Sequence, residues 1–186
     1  MVAITERHVP TNELATESAA AGADGLRFDL PSPGDGPAMW ALAGQVGLDV
    51  NSPYAYVMWG DYFRSTSVVA RRGTELVGFV AGFAAPDEPA TLFVWQIGVA
   101  ASARRTGLGS RLLDHLIDRC SPTHLEATVT PGNTSSAALF RSLATRRRAG
   151  FEESTAYPAE LLGADHEPEL RFRIGPLHPR PIHETT

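Results

Sequence analysis

The stretch TLFVWQIGVAASARRTGLGSRLLDHLIDRC, residues 91–120, places a glycine-containing turn between two apolar patterns of different period. The nearly all-apolar run Thr91–Val99 predicts a strand that is buried on both faces. After the turn, apolar residues recur at the spacing of one helix face: Leu108, Leu112, Leu113, Leu116 and Ile117. We therefore expect a helix that begins near Gly107.

The rest of the chain continues to alternate between strand and helix patterns. Strands are expected at Arg27–Leu30, Ser67–Arg71, Glu75–Phe83, His124–Thr130 and Leu170–Ile174. Helices are expected over Gly36–Val46, from Asn51 or Ser52 onward with Pro53 in the first turn, and over Asn133–Arg148. The strands come first as a hairpin and then alternate with helices, which predicts an α/β fold with a mixed sheet.

The length and composition of the chain predict one folded domain with loose ends. Its 186 residues, 43% hydrophobic and 20% charged, fit a single globular domain, which we place at residues 26–176. Residues 1–25 are rich in Ala, Thr, Glu and Gly without periodicity, so we expect a disordered N-terminal arm. Prolines interrupt residues 177–186, where we expect a flexible C-terminal tail.

Charge and cysteine usage exclude several function classes. A net charge of −5 argues against a nucleic-acid partner, since such binding depends on clustered Lys and Arg. No apolar run is long enough to cross a bilayer, so no membrane partner is expected. Cys120 is the only cysteine and the histidines lack ligand spacing, so we expect neither a disulfide nor a metal. The N-terminus lacks the apolar core of a secretory signal, and a cytoplasmic location is expected.

The turn Arg104-Arg105-Thr106-Gly107-Leu108-Gly109 has the chemistry of an anion site. The first N–H groups of a helix have no partner inside it, and the helix dipole adds partial positive charge there. Glycines at 107 and 109 allow a diphosphate to approach the backbone. An equally simple reading is a tight strand-to-helix turn without a ligand. Neither the dinucleotide motif G-x-G-x-x-G nor the Walker motif is present.

This turn resembles the Q/R-x-x-G-x-G/A loop of the GNAT acetyltransferase superfamily, which holds the pyrophosphate of coenzyme A. The resemblance implies a mixed, mostly antiparallel central sheet flanked by helices, with its two central strands splayed apart. It also implies that acetyl-CoA is the co-substrate. The residues that it assigns to coenzyme A are Ile97, Val99, Arg104, Arg105, Gly107, Gly109, Ser110 and Asn133. Members commonly have glycine where Arg105 stands.

Four longer segments resemble, within that superfamily, the diaminobutyrate acetyltransferases of the ectoine pathway. They are LDVNSPYAYVMWGDYFRSTSVVA (48–70), TLFVWQIGV (91–99), TVTPGNTSSAALF (128–140) and HEPELRFRIGP (166–176). The resemblance runs from about Arg27 to Pro176. It implies acetylation of the γ-amino group of L-2,4-diaminobutyrate, by direct attack in a ternary complex, and a homodimeric enzyme.

A substrate with two ammonium groups requires carboxylates and hydroxyls in its pocket. The predicted substrate-binding residues are Asp49, Tyr54, Trp95, His166, Glu167 and Glu169. A carboxylate that touches the reactive ammonium raises the pKa of that amine and hinders its deprotonation. We therefore expect the tightest acidic contact at the α-ammonium, while a more distant carboxylate or a water relay removes the γ proton; Glu169 is our candidate for that base. From the residues alone, Trp95 packs in the core more often than it binds a ligand.

One part of the usual acetyltransferase machinery is missing from the sequence. Many GNAT enzymes protonate the leaving thiolate with a tyrosine from the helix that here begins at Asn133, but Leu139 and Phe140 occupy that region. Tyr54 is our second catalytic candidate, for this proton; water, or departure as the thiolate, are the alternatives. Two other functions stay open: acetylation of another amine such as a polyamine or aminoglycoside, and a non-catalytic acyl-CoA-binding module.

Overall fold

The computed structural model describes residues 24–163 and 166–178, which form one seven-stranded sheet with helices on both faces. The strands are β1 (Leu26–Asp29), β2 (Ser67–Arg72), β3 (Glu75–Ala85), β4 (Glu88–Val99), β5 (His124–Val129), β6 (Gly150–Tyr157) and β7 (Glu169–Gly175). The helices are α1 (Gly36–Val46), α2 (Pro53–Tyr62), α3 (Leu108–Cys120), α4 (Thr134–Arg147) and α5 (Ala159–Leu162).

The strand order in the sheet is β1-β2-β3-β4-β5-β7-β6. The β4–β5 pair is parallel and the other neighbouring pairs are antiparallel. The predicted mixed, mostly antiparallel sheet is thus confirmed. The sequence reading missed β6 and the short α5. Strand β6 forms the edge of the sheet and is largely exposed on both faces, so its sequence GFEESTAY shows no apolar alternation.

Two apolar layers cover the two faces of the sheet. The leucines predicted to share one face of α3 are buried against the sheet together with α4. On the other face, α1 contributes Met39 and Leu42 and α2 contributes Tyr56, which pack with Phe79 of β3. These layers fix α1 and α3 on opposite faces of the central strands. The segment that follows α1 and the glycine turn that precedes α3 therefore meet at one end of the sheet.

The sheet opens between its two central strands. Strand β4 changes register against β3 between Ala81 and Gly82, which leaves Trp95 as the extra residue of a β-bulge. On its other side, β4 pairs with β5 only from Thr91 to Val94. A bulge bends its strand and increases the local twist, so β4 diverges from β5 where the bulge begins. The bulge at Trp95 therefore accounts for the predicted splay between the central strands.

The buried ion cluster of Arg147 holds α4 against α3. Its guanidinium donates hydrogen bonds to the carboxylates of Asp114, at 2.8 and 3.1 Å, and Asp118, at 2.8 Å. A buried cation needs such complete pairing to offset its desolvation. The carboxylates in turn keep the pKa of Arg147 above its ordinary value, although burial acts in the opposite direction. This contact fixes the spacing of the two helices whose N-termini approach the open end of the sheet.

The predicted N-terminal arm lies mostly outside the described residues, as does most of the predicted C-terminal tail. Leu177, which we assigned to the tail, is buried in the apolar core, and its N–H donates to the carbonyl oxygen of Thr123 at 2.7 Å. The packed chain therefore extends past Pro176. Across the described part of the chain, none of the helices is both long enough and apolar enough to cross a membrane.

Candidate active site

A cavity of about 650 Å³ lies at the open end of the sheet, between the glycine turn and the N-terminus of α4. We call it the glycine-turn chamber. Its walls are Val46, Gly47, Leu48, Ile97, Val99, Ala103, Arg104, Arg105, Gly107, Leu108, Gly109, Ser110, Asn133, Ser135, Ser136 and Leu139. All eight residues that the sequence assigned to coenzyme A are among them.

The glycine turn has the backbone geometry of an anion site. Gly107 precedes the helix with φ 78° and ψ 8°, a left-handed conformation that side chains disfavour. The first helical bond runs from the N–H of Arg111 to the carbonyl of Gly107, at 3.1 Å, which leaves the three preceding amides without a partner inside the helix. Arg105 is also left-handed, with φ 62°, which explains why glycine is common at this position in the superfamily.

The open edge of β4 presents backbone groups to the gap between the strands. The N–H of Ala100 donates to Val77 of β3 at 2.9 Å. Backbone groups of an extended strand alternate sides, so those of Ile97 and Val99 point away from β3 and toward the splay. A diphosphate at the glycine turn and an extended, amide-bearing arm along β4 therefore both fit the residues present.

A second cavity of about 460 Å³ adjoins the first, and we call it the acidic chamber. Its walls are Gly47, Leu48, Asp49, Asn51, Val94, Trp95, Gln96, Ile97, Ala127, Thr128, Val129, Thr130, Asn133, Ser136, Phe140, His166 and Glu169. The two chambers share the five wall residues Gly47, Leu48, Ile97, Asn133 and Ser136, so they meet at the splayed strands.

Two carboxylates and one imidazole give the acidic chamber its charge. Burial raises the pKa of Glu169 above its ordinary value of 4.5, while a hydrogen bond with Thr128 and the nearby His166 act against that rise. Nδ1 of His166 lies 2.8 Å from the carbonyl oxygen of Glu167. A carbonyl can only accept a hydrogen bond, so Nδ1 carries the proton and donates it. That bond raises the pKa of His166, as do the surrounding carboxylates. Nε2 of the same ring lies 3.9 Å from Oδ2 of Asp49.

Comparison with known proteins agrees with this geometry. The model of the acetyltransferase (GNAT) family matches residues 39–144. This chain belongs to the GNAT family. It is 50% identical over 158 residues to the L-2,4-diaminobutyric acid acetyltransferase of Halalkalibacterium halodurans, covering 83% of this chain and 84% of that protein. The protein of the same name from Halomonas elongata is 39% identical over 187 residues, with 95% and 97% covered.

A solved structure with the same architecture is the diaminobutyrate acetyltransferase EctA from Paenibacillus lautus, in complex with its substrate L-2,4-diaminobutyric acid and coenzyme A. It superposes with a TM-score of 0.78 at 38% identity, covering 81% of this chain and 95% of that one. The GNAT fold and the closer resemblance predicted from the sequence are both confirmed.

The structure of this GNAT chain brings four of the six predicted substrate residues together. Asp49, Trp95, His166 and Glu169 line the acidic chamber, although they come from three separate segments. Trp95 also packs: its ring stacks on Trp59 with centroids 4.1 Å apart. The two readings of Trp95 are thus compatible, since a half-buried ring can pack on one face and border the chamber with the other.

The other two predicted substrate residues lie outside both chamber walls. Tyr54, also our candidate for the thiolate proton, is 72% exposed on the outer side of α2. Glu167 points to the turn before α4, where its carboxylate accepts the N–H of Gly132 at 3.2 Å. Among the described residues, neither chamber is lined by a tyrosine, so this GNAT chain places no phenol beside the junction of its chambers.

Five polar wall residues of the acidic chamber were not predicted from the sequence: Asn51, Gln96, Thr128, Thr130 and Ser136. Gln96 carried a usable signal, because it is the one amide in an otherwise apolar run, FVWQIGV. Thr128 gave none, since threonine is an ordinary strand residue. Within the described part of the chain, no group of three His, Cys, Asp or Glu side chains is placed to hold a metal ion.

Proposed function

We propose that this chain transfers the acetyl group of acetyl-CoA to the γ-amino group of L-2,4-diaminobutyrate, as a step of ectoine biosynthesis. The observation that carries the proposal is the junction of the two chambers at the splayed strands, which brings a diphosphate-binding turn and an acidic pocket together. The names of the relatives and the substrate complex of the Paenibacillus lautus enzyme support the same reaction.

Coenzyme A fits the glycine-turn chamber through the backbone and two cations. We assign the diphosphate to the amides at the start of α3, with Arg104 and Arg105 at the rim, because these groups carry the positive charge of the chamber. The open backbone groups of Ile97 and Val99 are assigned to the amides of the pantetheine arm. Bound in this way, acetyl-CoA supplies a thioester to the junction of the chambers.

The acidic chamber suits a cationic diamino acid. The substrate carries two ammonium groups and one carboxylate, and the chamber offers the carboxylates of Asp49 and Glu169 with His166 between them. Asp49 is the more exposed, with 92% of its side chain accessible, and suits the outer α-ammonium. Glu169 is half-buried and suits the γ-amino group, which has to reach the thioester.

We assign to Glu169 the removal of the proton from the γ-ammonium, directly or through a water. Its raised pKa makes it a stronger base than an ordinary carboxylate, which reduces the gap in proton affinity to the amine. The neutral amine then attacks the thioester carbonyl; the C–N bond forms, the C–S bond breaks and coenzyme A leaves as a thiolate. Because neither chamber is lined by a tyrosine in the part of the chain that the structure describes, we assign the protonation of the thiolate to water.

A substrate panel tests this proposal directly. With acetyl-CoA held constant, we expect L-2,4-diaminobutyrate to be acetylated with a kcat/KM at least about 100-fold above that of putrescine or an aminoglycoside, since only it matches both ammonium positions and the carboxylate. Product NMR should show acetylation at the γ-nitrogen. Preference for another amine would establish a different acetyltransferase, and no amine-dependent release of thiol would establish a non-catalytic acyl-CoA-binding module.

We also infer that the enzyme is a homodimer. Two aromatic side chains of one helix, α2, are largely exposed, Tyr54 at 72% and Tyr62 at 77%, which supports a further protein contact there. Light scattering on the purified enzyme should give about twice the chain mass of 19.9 kDa. A mass of one chain at concentrations where the enzyme is fully active would contradict the dimer.

A further inference from the structure

Gln96 is a buried amide in an otherwise apolar stretch of β4, FVWQIGV. It is 8% exposed and directly follows Trp95, the bulge residue of β4. Burying an amide without partners is unfavourable by roughly 1–3 kcal/mol, so a buried glutamine in a strand of this kind needs both ends of its side chain satisfied. The catalytic scheme above gives Gln96 no role.

Both ends of the Gln96 amide are hydrogen-bonded, and chemistry fixes its orientation. Nε2 donates to the carbonyl oxygen of Asp49 at 2.7 Å; a carbonyl only accepts, so the NH₂ group has to face it. Oε1 therefore faces the hydroxyl of Tyr56, which donates to it at 2.9 Å. Tyr56 and Gln96 thus form a relay of two hydrogen bonds that ends on the main chain of Asp49.

The relay holds a segment that has no secondary structure of its own. Residues 48–52 link α1 to α2 without helix or strand pairing. Leu48 lines both chambers, and Asp49 and Asn51 line the acidic chamber. The Asp49 side chain is almost fully exposed, so the location of its carboxylate depends on where its main chain is held. Gln96 holds that main chain against the bulge, beside the junction of the chambers.

We propose that Gln96 and Tyr56 are positioning residues for the acceptor substrate: their relay fixes the main chain of Asp49 and so places the Asp49 carboxylate for the α-ammonium group. This inference rests on the proposed function, and it adds two residues that act through Asp49. Tyr56 is fully buried, and its hydroxyl is linked to the segment through Gln96. The relay ties the acceptor pocket to the same bulge that opens the sheet for coenzyme A.

The test is a double-mutant cycle on steady-state kinetics with Tyr56→Phe, Gln96→Met and the double variant. Tyr56→Phe keeps the ring packing and removes one link of the relay. Each single variant should raise KM for diaminobutyrate by about 10-fold, a typical effect of losing a buried hydrogen bond, and change KM for acetyl-CoA by less than about 2-fold. The double variant should be no worse than about the more severe single variant, because both substitutions break one relay.

Two further variants separate positioning from general damage. Gln45→Met makes the same substitution at an exposed glutamine of α1 that lines neither chamber, and it should leave both KM values unchanged. Gln96→Glu still accepts from Tyr56 but has no donor for the Asp49 carbonyl, so it should resemble Gln96→Met. Equal rises in both KM values, or additive effects in the double variant, would overturn the proposal. Wild-type enzyme that acetylates no diaminobutyrate would instead refute the proposed function.

Discussion

Replacing Glu169 by glutamine is expected to lower kcat for diaminobutyrate acetylation by a factor of about 10²–10³, a usual range for loss of a general base. The substitution keeps the shape of the side chain and removes its ability to take a proton. Burial raises the pKa of this carboxyl, and Glu169 lines the acidic chamber, where we propose that the amine binds. Time-course assays of the release of the coenzyme A thiol, at saturating acetyl-CoA, measure this kcat.

The pH dependence of the wild-type enzyme provides a second measurement at Glu169. The carboxyl has to be ionised to act as a base, so kcat/KM should fall as the pH is lowered through its pKa. Because that pKa lies above the ordinary 4.5, the midpoint of this fall, the acid limb of the pH–rate profile, should also lie above pH 4.5. Glu169→Gln should lose this limb. The control is Glu160→Gln, which changes an exposed carboxylate on α5. This variant should keep both the wild-type kcat and the acid limb of the pH–rate profile.

Protein stability distinguishes a catalytic Glu169 from a structural one. A carboxyl whose pKa is higher in the folded state than in the unfolded chain favours folding below its unfolded pKa. That contribution is lost as the pH rises through the folded pKa. At neutral pH the ionised Glu169 therefore opposes folding, and Glu169→Gln should leave the melting temperature unchanged or raise it. A variant that melts earlier and keeps full activity when folded would refute the assignment.

The coenzyme A site was predictable because it is local in sequence and made largely of backbone. Seven of the eight predicted residues lie in the strand, turn and helix start at residues 97–110, and Asn133 is the eighth; the wall segments 46–48 and 135–139 were not predicted. Glycine spacing and helical periodicity are properties of a continuous stretch, so they are visible without tertiary structure. Nothing in the amine pocket is local in this way, since it combines residues of four segments between 47 and 169.

Tyr54 and Tyr56 illustrate what the sequence could not settle. Two residues apart on a helix, they point about 200° away from each other, because each residue turns the helix by about 100°. The sequence did not reveal which face of α2 meets the sheet, and the resemblance favoured Tyr54. In the structure the buried face carries Tyr56, which contacts Gln96, while Tyr54 faces outward. Which face of α2 is buried depends on its packing against the sheet, in the apolar layer that α1 and α2 share.

Replacing Gly109 by leucine is expected to raise the dissociation constant of coenzyme A by about 100-fold, the second large effect that the structure predicts. Gly109 lies in the first turn of α3, inside the wall of the glycine-turn chamber. A Cβ atom there would lie 3.4 Å from Leu139 and 3.9 Å from Val99, both of which also line the chamber. The methyl group of Gly109→Ala just fits, whereas the larger side chain of Gly109→Leu has to occupy the space of the ligand.

Calorimetry with coenzyme A on both variants provides the measurement. Gly109→Ala should bind within about 5-fold of wild type and Gly109→Leu about 100-fold more weakly, while both melt at or above the wild-type temperature, because Ala and Leu favour helix over Gly. The KM for diaminobutyrate, measured at saturating acetyl-CoA, should change little. This graded pattern depends on coenzyme A binding against the helix start. If Gly109→Leu bound coenzyme A like the wild type, the ligand would have to bind elsewhere, and the thioester would no longer be aimed at the acidic chamber.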